Sequence, residues 1–446
     1  MAEARKNIER VKSILSHSLE HAKPFLKKLH PSDIAKLLEE LSPDSRRTIV
    51  RMLPIDKASE AISEMDEEAN PEQILLSISP ARAAEIIEEL DPDDAADLLA
   101  ELPPRELRII LNRLSAEEEQ VISSLMTYDE DTAGGIMNPE VLAIPATWTK
   151  RQAVDEVIAI SEEMEDFYAI YIVDEEEKLL GVVPLKALIR ARPWVKVSEL
   201  MLETLVKVHV DTDQEEVAKK IKQYNLVAIP VVDDNDRLLG RITFDDVIDV
   251  FEEESTEDML KLAGVSEEES LRGSWTNSVR SRLPWLLINL CTASAAGFVI
   301  SRFSHTLDQM VIIASFMPIV AGVAGNGATQ ALAVTIRRIA TGGIPKKQYA
   351  SVILKELAVG TINGFLLGLI VGLVAWSLNS NPALGLVVWA ALVGNLFIAG
   401  LAGSAIPLLL QRLGIDPAVA SSILMTAFTD ILGYTLLLGL GTLFLL

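Results

Sequence analysis

Cysteine is almost missing: the chain has one, Cys291, in 446 residues. It lies in an apolar run, cannot close a disulfide within the chain and has no partner for a zinc site. A nucleophile–base set, a Walker loop and a metalloprotease motif are missing too, which argues against an enzyme. Nothing in the opening stretch MAEARKNIER resembles a signal peptide, so the soluble part is expected to stay in the cytoplasm. Charge is scarce toward the C-terminus. From Thr276 onward there are four acids and nine bases, a net of +5, which leaves −29 on the residues before it. An acidic part joined to a weakly basic, apolar part repels nucleic acid and attracts cations. The plainer reading is that acidity only serves solubility.

The length allows two or three domains. In the N-terminal part three segments align at a period of twelve: Ser79–Leu90, Asp91–Leu102 and Pro103–Leu114, with a weaker copy at His30–Leu41. Each has proline at its second position, the first helical residue after a cap. Apolar residues then recur at helical spacing, as in Ala84, Ile87 and Leu90. Short helices in series cannot bury their apolar faces alone, so an all-α superhelical domain over residues 1–130 is expected. Asp91, Asp93, Asp94 and Asp97 crowd one helix start, where the dipole favours carboxylates. Asp93 and Asp97, four apart, share a face and repel, an arrangement suited to a divalent cation.

A second repeat has a period of 59: Ala169–Val183 matches Ala228–Ile242. Each reads as a β-hairpin with an acidic turn, flanked by helices at Arg151–Glu162, Leu185–Ala191, Gln214–Tyr224 and Asp245–Glu254. With Met137-Asn138-Pro139 and Glu199-Leu200-Met201 as openings, the duplication over 136–251 resembles a pair of cystathionine-β-synthase (CBS) motifs. Such pairs often bind adenosine nucleotides through an Asp after the last strand. Here the first copy has Ala187 at that place and the second keeps Asp245-Asp246. The alternative is a rigid dimerisation module.

Residues 252–275 form a helix-compatible run, reaching about Arg272, that joins the soluble part to the apolar part. Five apolar segments follow over 276–446: about Leu283–Arg302, Gln309–Val334, Tyr349–Trp376, Leu384–Leu410 and Ala418–Leu446. Each meets the roughly 20 residues that span a bilayer. Arg272, Arg280 and Arg282 precede the first, Arg337, Arg338, Lys346 and Lys347 follow the second, and Arg412 follows the fourth. These bases place the N-terminus inside and the C-terminus outside. Gly360, Gly364, Gly368 and Gly372 recur every four residues, the pattern of close helix packing.

Two features do not suit lipid. Pro318, Gly322, Gly325, Asn326, Gly327 and Gln330 interrupt the second segment, and Asp430 interrupts the fifth. Such groups should face protein or water. The glycines would let the helix open and offer carbonyl oxygens to a cation.

Together these features resemble the MgtE family of magnesium channels and transporters, across nearly the whole chain. The signature reads Pro318, Gly322, Gly325-Asn326, Gln330, with Ala328 where the family usually has a further glycine. The resemblance implies a multi-domain membrane protein: a helical N-domain, an α/β CBS pair, a connecting plug helix and five transmembrane helices, working as a homodimer. It matches the pore aspartate to Asp430 and the third-helix acid to Glu356. It also implies regulatory magnesium at the interface of N-domain, CBS pair and plug, at Asp93, Asp97, Asp246, Glu254, Glu257, Asp258 and the loop acid Asp416.

The chemistry agrees with magnesium. Mg²⁺ keeps its waters and is usually held by one or two carboxylates. One Asp430 per chain gives two across a two-fold axis. Asn326, Thr329 and the carbonyls around Gly325 and Ala427 could bond the hydration shell. The membrane part has no Cys or His cluster for softer metals. Glu356 has other roles open to it, holding Asn326 or pairing with Lys355. The leading expectation is a Mg²⁺ importer with an internal Mg²⁺ sensor. A broader divalent or proton-coupled carrier on the same scaffold is the alternative, and a nucleotide-reading signalling protein is a third.

Overall fold

A computed structural model describes residues 19–66, 69–160, 169–202, 206–266, 275–340, 344–419 and 422–446. The chain divides into two compact units, Met1–Glu252 and Glu253–Leu446.

Among the described residues, the first unit has nine short helices ahead of its sheets: α1 (Leu19–Leu26), α2 (Pro31–Glu39), α3 (Pro43–Met52), α4 (Ile55–Ser63), α5 (Glu72–Ser77), α6 (Pro80–Ile87), α7 (Pro92–Ala100), α8 (Pro104–Leu111) and α9 (Ala116–Leu125). Pro31, Pro43, Pro80, Pro92 and Pro104 each open a helix, as the repeat pattern requires. Ser79 caps α6 through the Arg82 amide, whereas the Asp91 side chain makes no capping bond to α7. Ser115 and Glu118 form a reciprocal capping box on α9. Basic side chains close the other helix ends. Arg46 donates to the carbonyls of Leu38, Glu39, Leu41 and Ala69 at 2.7–3.2 Å. Lys57 reaches the Leu29 carbonyl and Arg82 the Leu53 carbonyl. Each satisfies oxygens that a terminated helix leaves unpaired.

Two three-stranded sheets follow, each with a parallel and an antiparallel pairing. The first holds β1 (Ala143–Pro145), β2 (Ala169–Val173) and β3 (Leu179–Pro184), with α10 (Lys150–Ile160) and α11 (Leu185–Arg190). The second holds β4 (Val208–His209), β5 (Ala228–Val232) and β6 (Leu238–Thr243), with α12 (Gln214–Tyr224). The expected hairpins are β2–β3 and β5–β6, and each has its register shift at the same place, Ile172/Val173 and Val231/Val232. Their turns carry Glu177 and Asp236 at the same φ of 63°. The repeat extends to backbone detail. Glu162, the expected end of one helix, lies outside the described residues. Apolar side chains of the helical array and of the second repeat share one core, from Leu26 through Leu125 to Ile242 and Val250. The first repeat has its own core around Ile144, Ile170 and Val183.

Helix α13 (Phe244–Ala263) begins inside the second repeat rather than at residue 252. It ends at Ala263 because Gly264 turns left-handed, at φ +72°. The Gly264 amide donates to Lys261 and the Val265 amide to Leu260, a Schellman stop. The helix therefore stops short of Arg272, which lies outside the described residues.

Among its described residues the second unit contains five helices long and apolar enough to cross a membrane. They are α14 (Trp275–Arg302), α16 (Met317–Ala340), α17 (Tyr349–Asn379), α18 (Pro382–Leu413) and α19 (Ser422–Leu445), with a short α15 (Ser304–Gln309) between the first two. The glycine stripe of α17 is a packing seam. A Cβ on Gly360 would lie 2.3 Å from the Leu396 carbonyl oxygen, and one on Gly372 would lie 2.7 Å from that of Gly385. Two backbones approach this closely only without side chains between them.

Candidate metal-ion sites

The first candidate site lies where α16 meets α19. Gly325 is buried, and a Cβ there would lie 3.7 Å from both the Thr426 and the Thr429 hydroxyl oxygens. Thr426, Thr429, Asp430 and Gly433 fall on one stripe of α19, since residues three and four apart share a face. Asp430 is half-buried on that stripe, while Asn326 and Thr426 are exposed on the single chain.

The expectation that the glycines open the second span is corrected here. Helix α16 is continuous from Met317 to Ala340, and the irregular turn lies before it, at Val311–Phe316. The Gly325 carbonyl accepts the Thr329 hydroxyl at 3.1 Å. Ala427 likewise sits inside α19. Each carbonyl within a helix spends one lone pair on the helix's own ladder and keeps a second for another partner.

Glu356 is not on that seam. It is 7% exposed and lines a cavity of about 240 Å³ with Gln330, Lys355 and Asn363, walled by Gly327, Leu396 and Gly400. The α16 residues of this cavity, Gly327, Gln330, Ala331 and Val334, lie roughly 180° around the helix from Gly325. Of the alternatives, the structure gives the Lys355 pair, with Nζ 3.5 Å from the carboxylate. A polar residue that the sequence reading passed over, Asn395 of α18, is fully buried and donates Nδ2 to the Val320 carbonyl of α16 at 3.1 Å.

The second candidate site is the carboxylate cluster of the first unit. Asp93 is 8% exposed, and its Oδ1 is buried with no hydrogen-bond partner. Burial holds its carboxyl well above the usual range, and the charges of Asp94, Asp246 and Asp91 add to this. Asp94 is pushed up to about 7 by burial and then by Asp91 and Asp246. Asp246 is raised by burial, opposed by hydrogen bonds from the Thr243 amide at 2.9 Å and hydroxyl at 2.7 Å. Burial also raises Asp249 and Glu140, followed by the charge of Asp246 and of Asp91 respectively. The positive charge of Arg241 opposes the shifts of Asp246 and Glu140, and its own buried Nε has no partner.

By spacing alone Asp93 pairs with Asp97. Asp97 is exposed, and the side chains raising Asp93 are Asp94, Asp246 and Asp91 instead. Asp94 was visible only as one of a run of acids; its burial comes from tertiary packing. Among the described residues no group of three His, Cys, Asp or Glu side chains is arranged to hold a metal ion. The cluster is therefore a set of strained like charges and not a formed chelate.

The third set belongs to the second unit. Glu254, Glu257 and Asp258 lie half-exposed on α13. Lys261 forms an ion pair with Glu257 and another with Asp416, at 3.1 Å. Asp416 also accepts the Ala418 amide at 2.8 Å. One residue beyond Lys261, Leu262 packs onto a cluster formed by Ala324 and Ala328 of α16, Leu396 and Ala399 of α18 and Met425 of α19.

The profile of MgtE, a divalent cation transporter family, matches residues 317–440. The MgtE intracellular N domain matches 29–131, and CBS domains match 133–193 and 197–253. The magnesium transporter MgtE of Thermus thermophilus is 35% identical over 429 residues, 94% of each chain. That of Bacillus subtilis is 33% identical, covering 94% of this chain and 92% of its own. A crystal structure of the soluble part of a magnesium transporter aligns at TM-score 0.52 and 30% identity, over 56% of this chain and 99% of that one. The cytosolic domain of the Mg²⁺ channel MgtE, solved with ATP, aligns at TM-score 0.51 and 35% identity, over 54% and 97%.

Proposed function

The chain belongs to the MgtE family of divalent cation transporters, and we propose that it imports magnesium through the seam between α16 and α19, under control by cytosolic magnesium. The observation that carries the seam is the approach of Gly325 to Thr426 and Thr429, one turn and one residue before Asp430. A small residue on one helix faces two hydroxyls on the other, beside a lone carboxylate. Hydroxyls, an amide and a carboxylate suit an ion that keeps its water.

Exposure supports a second copy of the chain. Asn326 and Thr426 would meet lipid on a single chain, and polar groups at that depth need protein or water. Two chains about a two-fold axis bring together two Asp430 carboxylates, which balance one divalent charge. The bases Arg337, Arg338, Lys346 and Lys347 between α16 and α17, with Arg412 ending α18, support a cytoplasmic N-terminus.

Two sets of acids are assigned to regulation, each within its own unit. Asp93, Asp94 and Asp246 are the first set, and the buried, unpartnered Oδ1 of Asp93 supports a cation drawn to them. Asp97 is the exposed outer member of that group. Glu254, Glu257, Asp258 and Asp416 form the other set, where the tip of α13 reaches α16 and α19. A bound cation supplies positive charge to these carboxylates and favours whichever arrangement brings them close. A nucleotide fits less well. Ala187 packs against the first-repeat core where the ribose acid would stand.

Purified protein in liposomes with a fluorescent Mg²⁺ reporter tests the reading. Asp430→Ala is expected to abolish uptake, and equal uptake would refute it. Running Mn²⁺, Co²⁺ and Ca²⁺ alongside, with and without a pH gradient, separates the broader or proton-coupled carrier.

A further inference from the structure

Asn395 stands in the middle of α18, fully buried, in a stretch that is otherwise apolar or glycine. Its amide touches both helices of the seam. Nδ2 donates to the Val320 carbonyl of α16 at 3.1 Å. On the other side lies Gly433 of α19, where a Cβ would stand 2.2 Å from Nδ2, 3.0 Å from Cγ and 3.3 Å from Oδ1. Gly433 is three residues beyond Asp430 on the same face. The amide therefore fills a notch that only glycine leaves, directly beside the turn that carries the carboxylate.

Packing alone does not account for an asparagine here. Its Oδ1 is buried with no hydrogen-bond partner, and an unsatisfied acceptor in this setting is costly. A leucine would fill similar space without that cost. What the amide adds is a directional bond to one helix and a flat edge against the other. Together these fix how far apart α16 and α19 stand at that level.

We propose that Asn395 is a positioning residue for ion selectivity: it sets the separation of α16 and α19 beside Asp430 and so the room left for a hydrated ion. This rests on the reading of that seam as the ion route. Asn395 itself touches no ion. The amide acts through the Val320 carbonyl and the Gly433 backbone.

Asn395→Ala, Gly433→Ala and the double variant are to be reconstituted beside wild type and Asp430→Ala. Uptake of Mg²⁺, Mn²⁺, Co²⁺ and Ca²⁺ is measured with the thermal midpoint of each. Asn395→Ala is expected to change the Mg²⁺-to-Ca²⁺ or Mg²⁺-to-Mn²⁺ rate ratio by about threefold or more while uptake still depends on Asp430. Gly433→Ala pushes the same amide aside and is expected to change the ratio too. In the double variant the added methyl has room, so the result should resemble Asn395→Ala alone instead of the sum. Lowered thermal midpoints with wild-type ratios would reduce Asn395 to a packing residue and overturn the proposal. Undiminished uptake by Asp430→Ala would instead overturn the reading of the seam, whatever the Asn395 variants do.

Discussion

Lys261 and Asp416 meet at 3.1 Å, and Lys261 is also paired with Glu257. The chain thus places its own cation among carboxylates assigned to a regulatory one. Lys261→Met leaves Glu257 and Asp416 as like charges facing each other. The Mg²⁺ concentration that half-closes the pathway is expected to rise about two- to fivefold, in keeping with a partly exposed ion pair. Flux against internal Mg²⁺ in reconstituted vesicles measures it; an unchanged midpoint would show the pair to be incidental.

Asp94 gives the protein a pH dependence of unusual sign. Its carboxyl rises from the ordinary 3.8 to about 7 in the fold, chiefly by burial. The folded state then binds this proton more tightly than the unfolded chain does. Stability is highest below pH 4 for this group and falls as pH rises toward 7, by about 2–4 kcal/mol. Thermal unfolding of the full chain in detergent, without divalent ions, should show the loss. Asp94→Asn should flatten the profile, and Mg²⁺ at pH 8 should restore stability to the wild type.

Glycines at the α17–α18 seam and elsewhere should respond differently to a methyl group. Gly360→Ala drives a Cβ against the Leu396 carbonyl and is expected to cost about 1–3 kcal/mol. Gly297 of α14 has nothing within 4 Å of its Cβ position, so alanine there should be neutral or slightly stabilising. Thermal midpoints of the two purified variants decide the matter.

Asp430 and Glu356 are expected to separate in a flux assay. Asp430→Asn should abolish uptake. Glu356→Gln lies in the cavity on the far side of α16 and should lower the yield of folded protein while keeping the order of ion preference. Loss of uptake by well-folded Glu356→Gln would place that cavity on the ion route.

The parts of the fold legible in the sequence share a strong local signal. Prolines at a fixed period marked the helix starts, a duplicated hairpin marked the CBS pair, and uninterrupted apolar length marked the spans. What stayed hidden depends on neighbours. β1 and β4 have three and two residues, too few for alternation to show. The glycine run of α16 reads as a break, yet α18 and α19 pack against it and the helix persists. Asp94 and Asp97 read alike, and only packing half-buries the first and leaves the second exposed. Asn395 could have been found by the argument that singled out Asp430: a polar group in an apolar span asks for a partner.

Helices α17 and α18 run to 31 and 32 residues, about 46–48 Å at 1.5 Å per residue, against a hydrocarbon layer of roughly 30 Å. Their glycine seam binds them backbone to backbone, so they can lean only as a pair. Bilayer thickness therefore acts on the whole helical assembly through these two, and thin and thick lipids impose different slants on the wall behind the ion's path.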